Sequence, residues 1–158
     1  MKKLLIVFSF LLGLHPLFSQ SLSTPRIGIG VQGSFPAMGL SVKADLTEHH
    51  SLQGIAGFFT NHLKTYAVKY MFCFNESGDF FVIKPYFYGT AGVFKYDLYF
   101  ASETVFGFGA GAGLEYYIPV LSEKLRPAIE IGYTRANFNV YQFKGLTFGF
   151  GLHYYFEL

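Results

Sequence analysis

Histidines, a cysteine, carboxylates and a glycine-rich run are the residues of this chain that could do chemistry. Glu48-His49-His50 has the residue types of a metal site. Neighbouring residues on a strand point to opposite faces, so only a loop would let the two imidazoles converge. The triplet reads as a solvated turn, and no metal ligands are expected. Cys73 is the only cysteine, which excludes a disulfide scaffold and a cysteine-based zinc site. It reads as a buried hydrophobe or a bilayer-facing residue, with no basis for calling it reactive. Gly28-Ile29-Gly30-Val31-Gln32-Gly33 matches GxGxxG. A dinucleotide fingerprint follows a strand and opens a helix. Here the glycines lie inside an alternating segment and Phe35-Pro36 follows, so no nucleotide role is expected. Asn75-Glu76-Ser77 matches a glycosylation sequon, but it falls in a turn and the pattern is common by chance. No catalytic, cofactor-binding or metal-binding residue is assigned, and no cofactor is expected.

The elements that carry these residues are unusual in composition. Hydrophobic residues make up 51% and aromatics 20%, while charged residues are only 14%, against roughly 25% in ordinary globular chains. The 20 Phe, 12 Tyr and 18 Gly exclude intrinsic disorder. Twelve cations against ten anions exclude a basic nucleic-acid binder. The 158 residues suit one domain.

Lys2 and Lys3 precede an apolar run from Leu4 to Leu14, which His15 and Pro16 end. Ser19 offers a small residue at a cut, with Gln20 as the first mature residue. Residues 1–19 are therefore expected to be a secretory signal peptide, too short for a comfortable membrane span. Without it the chain carries ten cations and ten anions, because only Lys2 and Lys3 are lost.

The remainder, 20–158, alternates with period two, and no helical period of useful length appears. Leu146, Phe148, Phe150, Leu152, Tyr154, Phe156 and Leu158 oppose Thr147, Gly149, Gly151, His153, Tyr155 and Glu157. The same pattern recurs around 26–35, 38–46, 51–60, 66–74, 106–118 and 125–134. Residues 80–94 carry aromatics on both faces. A lysine facing lipid near the midplane costs roughly 2–4 kcal/mol, so Lys84 is placed inward. Phe81, Ile83, Pro85, Phe87, Gly89, Ala91 and Val93 then face outward. Pro85 lacks an N–H and must sit where the ladder can spare one. Turns are expected at 35–37, 48–50, 61–62, 75–79 and 119–124. Two longer connections are expected at Lys95–Thr104 and Arg135–Lys144, which gives eight strands.

A soluble sandwich would oppose its apolar face with charges, whereas here the second face is mostly glycine. The segments of roughly nine to thirteen residues fit tilted membrane strands of about 9–11. In hydrocarbon every backbone group must pair, so strands can span only as a closed barrel. With the N-terminus periplasmic, the short connections 47–50, 75–79 and 119–124 are periplasmic and the two longest lie outside. Phe72, Phe74, Phe80, Tyr116, Tyr117, Tyr154 and Phe156 form one aromatic girdle, and Phe35, Phe58, Tyr66, Phe94 and Tyr96 the other. The expected inward set is Arg26, Lys43, Lys69, Lys84 and Arg126 against Asp45, Glu115, Glu130 and Glu157, with Gln32, Thr134 and His153. Buried charges must pair, so a side-chain plug is expected. Gly107, Gly109, Gly111 and Gly113 make an inward groove, read as room for bulky neighbours such as Tyr86 or Tyr88.

On the leader, the Gly-rich strand 106–116 and the C-terminal strand, the chain resembles the small eight-stranded outer-membrane barrels represented by OmpX, OmpW and the membrane domain of OmpA. Thr147, Gly149, Leu152, Tyr154 and Phe156 match that family's C-terminal assembly signal, with Leu158 where Phe is usual. The resemblance implies an all-β, closed, antiparallel up-and-down transmembrane barrel in the bacterial outer membrane, exported through the Sec pathway. It also implies recognition by the barrel-assembly machinery and contact with outer-membrane lipid and lipopolysaccharide. A non-enzymatic structural or surface-interaction role is expected. A surface partner would be met by the outer connections, through Tyr96, Tyr99, Phe100, Phe138 and Tyr141. One alternative is a narrow conduit for small apolar solutes. Another is a lipid A deacylase resembling PagL, but that family's His-x-Ser-Asn signature is absent. His62 is followed by Leu63-Lys64-Thr65, and His153 by Tyr154-Tyr155, which leaves His62, Ser102 and Glu103 on separate outer connections. A soluble lipocalin-type barrel would have to display charges that the chain lacks.

Overall fold

The computed structural model describes residues 26–60, 63–98, 101–120, 122–137 and 142–157. The expected leader, His62, Tyr99, Phe100, Phe138, Tyr141 and Leu158 lie outside these residues, as do the side chains of Phe58 and Glu157. Eight strands follow in order: β1 Arg26–Ser34, β2 Ala37–Asp45, β3 His50–Thr60, β4 Leu63–Cys73, β5 Val82–Leu98, β6 Ala101–Tyr117, β7 Leu125–Asn137 and β8 Gln142–Glu157. Each pairs antiparallel with its neighbours in sequence, and β1 pairs with β8, which closes the barrel.

Register fixes the barrel's shape. The pairs Arg26↔Asp45, Asp45↔Ser51, Ser51↔Met71, Met71↔Tyr88, Tyr88↔Gly111, Gly111↔Gly132 and Gly132↔Thr147 run once around the wall. Extending the Ser34↔Gly149 register by two residues places Thr147 opposite position 36 of the first strand, a shear of 36 − 26 = 10. With ~3.3 Å per residue along a strand and ~4.8 Å between strands, this stagger tilts the strands about 41° and sets a backbone radius of about 8 Å. Such a cylinder holds side chains and little else.

The alternation sorts the two faces as the sequence implies. Leu40, Phe106, Leu146 and Phe148 are among the most exposed large side chains of the outer wall, while Lys43, Lys69, Glu115 and His153 are buried within. The ambiguous strand β5 takes the orientation argued for Lys84, which is buried while Phe87 is exposed. Pro85 is spared its ladder bond. Its carbonyl accepts from Phe74 N at 2.9 Å, just past Cys73↔Tyr86, the last β4–β5 pair. Cys73 is buried on the inner wall, 3.6 Å from Ser51 Oγ.

The outer rim departs from expectation. Lys95–Thr104 is not a long loop, because β5 and β6 stay paired to Leu98↔Ala101. Most of Arg135–Lys144 is likewise strand, paired to Asn137↔Gln142. Beyond the apolar band no lipid enforces alternation, so these segments read as loops although cross-strand pairing continues. At the tilt above, the β5–β6 ribbon stands roughly 15 Å above the β1–β2 turn at 35–36. The connections at the opposite end, 46–49, 74–81 and 118–124, are longer than those that join β1 to β2 and β5 to β6, so the expectation that the two longest connections lie at the outer end is not met. In β2–β3, Thr47 Oγ1 accepts from the backbone N of His49 and His50. In β4–β5, Ser77 bridges Ile83, and Gly78 adopts φ +108°, which side chains disfavour.

Candidate functional site

Inward-pointing side chains meet across the cylinder because every second residue of eight strands projects into a radius of about 8 Å. Three tiers result. At one mouth Arg26 pairs with Asp45 at 3.2 Å, and Ser51 Oγ donates to the same carboxylate at 2.7 Å. Arg126 pairs with Glu76 at 2.9 Å and with Glu115 at 3.5 Å. Glu115 also pairs with Lys43 and accepts from the Tyr155 hydroxyl at 3.3 Å. Lys84 lies on the same wall, close enough to act electrostatically on Asp45 and Glu76.

The middle tier centres on Glu130. Lys69 Nζ donates to both its oxygens at 2.7 Å, Tyr86 hydroxyl to one at 2.7 Å and Gln32 Nε2 to the other at 2.9 Å. Gln53 Nε2 lies 3.1 Å from Gln32 Oε1 and 3.2 Å from Ser41 Oγ, which in turn meets His153 Nε2. Above this, Ala37, Ile55, Ala67, Phe94 and Ala136 form a buried apolar cluster, with Val105 and Phe143 packed on it.

Glu76 is the residue sequence reasoning missed. Its turn folds back over the mouth, so its carboxylate accepts from Arg126 and, at 2.8 Å, from the Tyr117 hydroxyl. Burial by itself would raise its pKa, but these two hydrogen bonds and the charges of Arg126 and Lys84 outweigh it and hold the carboxyl below its ordinary range. Alternation gives no signal in a turn; only the register gathers Arg26, Lys84 and Arg126 at the mouth that Glu76 adjoins. Gln53, Ser41, Tyr86 and Tyr155 also join the network without having been singled out for it.

The inward glycines are filled rather than vacant. A Cβ on Gly113 would lie 2.4 Å from the Tyr86 ring, one on Gly111 2.6 Å from the Tyr88 hydroxyl, and one on Gly107 2.7 Å from Phe94. The groove of β6 is thus the seat of three β5 aromatics, as its reading as room for bulky neighbours implied.

The other sequence candidates do not assemble. His49 Nδ1 bonds the Cys73 carbonyl at 3.0 Å and His50 Nδ1 the Tyr70 hydroxyl at 2.6 Å, so each imidazole has a separate partner. Ser102 and Glu103 are successive residues of β6 and project to opposite faces. Gly28–Gly33 lies inside β1, with a turn and then a strand after it. Among the described residues no group of three or more metal-binding side chains forms.

No family model and no curated protein matches the sequence. Solved structures do match. The N-terminal β-barrel domain of Pseudomonas aeruginosa OprF superposes with a TM-score of 0.53 at 16% identity, covering 84% of this chain and 96% of that one. The chain has the small eight-stranded outer-membrane barrel fold. Ail, the attachment invasion locus protein of Yersinia pestis, matches at 16% identity over the same 84% of this chain and 96% of its own, with a TM-score of 0.42. At such identity the likeness to OprF speaks for architecture alone.

Proposed function

We propose that this protein is a non-enzymatic integral barrel of the bacterial outer membrane, with a lumen closed by its own side chains and a structural or surface-interaction role. The observation that carries this is the inversion of faces: Phe148 and Leu146 are 73% and 70% exposed, while Lys43, Lys69 and Arg126 are each 2% exposed. Only a hydrocarbon solvent makes that arrangement favourable. At the tilt derived above, the nine residues of β1 climb about 22 Å, close to the ~25 Å apolar band of such barrels. The outward aromatics contact lipid and lipopolysaccharide, and the β5–β6 and β7–β8 ribbons meet any surface partner. Leu152, Tyr154 and Phe156, exposed along β8 beside the inward Thr147 and Gly149, supply the signal read by the assembly machinery. Two measurements test the reading. Unheated membrane fractions migrate differently from boiled ones in gels, as a detergent-resistant closed barrel does. Purified protein in planar bilayers gives no steady conductance. A mobility unchanged by boiling rejects the barrel, and an open wild-type pore rejects the closed lumen.

A further inference from the structure

We propose that Lys64, Lys95, Arg135 and Lys144 form a girdle on the outer wall that binds the phosphate groups of lipid A, and that this end of the barrel is therefore the extracellular one. The inference rests on the membrane-barrel reading and gives that barrel an orientation and a lipid ligand. Alternation places all four side chains outward. In β4 and β8 they share a face with the exposed Tyr66, Val68, Leu146 and Phe148, and in β5 and β7 with Val93 and Tyr133. Arg135 and Lys144 are exposed, and Lys64 and Lys95 partly so. The other strand cations, Arg26, Lys43, Lys69, Lys84 and Arg126, belong to the lumen and its mouth.

Strand stagger brings the four to one level. At the tilt above, each residue climbs about 2.5 Å, and each step from one strand to the next, from β1 toward β8, adds about 3.1 Å. Lys64 and Lys95 stand seven residues above Met71 and Tyr88 of the once-around register, and Arg135 and Lys144 stand three above Gly132 and Thr147. Measured from Arg26, their backbones lie about 27, 30, 26 and 29 Å up, in chain order. That is the upper edge of the ~25 Å apolar band, where lipid headgroups begin. The cations also form cross-strand pairs, Lys64↔Lys95 and Arg135↔Lys144. Like charges directly opposite one another repel, so each pair is stabilised by an anion that both members can reach. Arg135 keeps its terminal guanidinium nitrogens for that anion, since its 3.3 Å hydrogen bond to Asn137 uses Nε. Asp97 follows Lys95 by two positions in β5, about 5 Å further from the band. Connection length by itself would invert the barrel, because the longer connections lie at the opposite end. The 17-residue strands β5 and β6 offset this, for their ribbon rises about 10 Å beyond the cations, as an extracellular loop would.

The test titrates the purified protein in uncharged detergent, after a check of heat-modifiable gel mobility, with diphosphorylated lipid A, and reads bound lipid by native mass spectrometry. Dephosphorylated lipid A should bind wild type at least ~10-fold more weakly, because charge-assisted bonds to phosphate carry the site. Arg135→Gln/Lys144→Gln and Lys64→Gln/Lys95→Gln should each weaken diphosphorylated lipid A ~10-fold, whereas Arg135→Lys/Lys144→Arg, which keeps both charges, stays within ~3-fold. Equal affinity of wild type for the phosphorylated and dephosphorylated forms overturns the proposal, and this arm needs no variant to fold. A folded quadruple glutamine variant that binds like wild type overturns it as well, and so does phosphatidylglycerol binding as tightly as lipid A. Orientation is read on intact cells. Ser102→Cys, exposed on the β5–β6 ribbon of a chain whose native Cys73 is buried, should react with a membrane-impermeant maleimide. Reaction only after the outer membrane is opened places the girdle in the wrong leaflet and overturns the proposal. A mobility unchanged by boiling rejects the membrane barrel itself, which separates that failure from these.

Discussion

From Glu130 and Lys69 down to the mouth, the lumen is crossed by long ionic side chains that reach one another over the full diameter. Above them the same cylinder is filled by a phenyl ring, an isoleucine and three alanines. The lower half needs specific geometry. Each buried charge must find its partner, since an unpaired one is penalised by several kcal/mol. The upper half needs only volume, and its contribution is dispersion and exclusion of water. The two halves should therefore respond to mutation differently: the lower by losing a partner, the upper by gaining a cavity.

The largest effect is expected at the centre of the lower half. Glu130→Ala strips Lys69, Tyr86 and Gln32 of their common acceptor and leaves a buried ammonium unpaired. A loss of about 3–5 kcal/mol follows, read by urea unfolding in lipid vesicles. The double variant Lys69→Met/Glu130→Met should recover much of that loss, because charge and partner leave together. A double variant as unstable as the single one would show that shape, not charge, governs this half. In the upper half Ile55→Ala removes buried methyl groups without orphaning any polar atom. Its expected cost is about 2–4 kcal/mol, by the same unfolding measurement, and no second-site charge change should rescue it.

How far each half was legible follows from the same difference. Charge is a strong marker on an otherwise apolar chain, so Lys43, Lys69, Glu115 and Glu130 identified the inner wall strand by strand. Lys84 even settled β5, where aromatics on both faces gave no periodic signal. The apolar cluster had no such marker. Phe94 lies on the inner wall of β5, but its type equally suits an outer girdle, which is where the sequence placed it, and alanines declare no face at all. Glu76 was obscured for another reason. It lies in a turn, where alternation carries no information, and only the register that brings Arg126 to the same mouth assigns it a partner. The outer ribbons read as loops because beyond the bilayer the two faces of a strand meet the same solvent.

Glycines sharpen the contrast at single-atom scale. Gly113 faces inward, where a Cβ would sit 2.4 Å from the Tyr86 ring, whereas Gly89 faces outward with nothing within 4 Å. Gly113→Ala displaces the ring that donates to Glu130 and should cost about 1–3 kcal/mol by overpacking. Gly89→Ala should be neutral or slightly stabilising, by up to about 0.5–1 kcal/mol, because only chain entropy changes. Equal losses at both sites, measured by urea titration, would remove the claim that β6 is shaped around the β5 aromatics.

The smallest effect expected lies at the solvent edge of the lower half, where Arg26 and Glu76 are partly exposed and their ion pairs screened. Glu76 has its carboxyl held below the ordinary range by Arg126, Tyr117 and Lys84 despite the burial that opposes this. A carboxyl whose folded pKa is depressed stabilises the fold at pH values above its unfolded pKa, ~4.3 for glutamate. That contribution disappears as pH falls through the lower, folded value. Glu76→Gln should therefore lower stability modestly at neutral pH and make no difference once the wild-type carboxyl is protonated. The temperature at which the folded gel band is lost, followed from pH 7 to pH 3, should fall faster for wild type than for the variant, and the curves should meet at the acid end. Parallel curves would mean that Glu76 closes the mouth by its shape alone, and that the ionic half of the lumen ends one layer deeper, at Glu115 and Arg126.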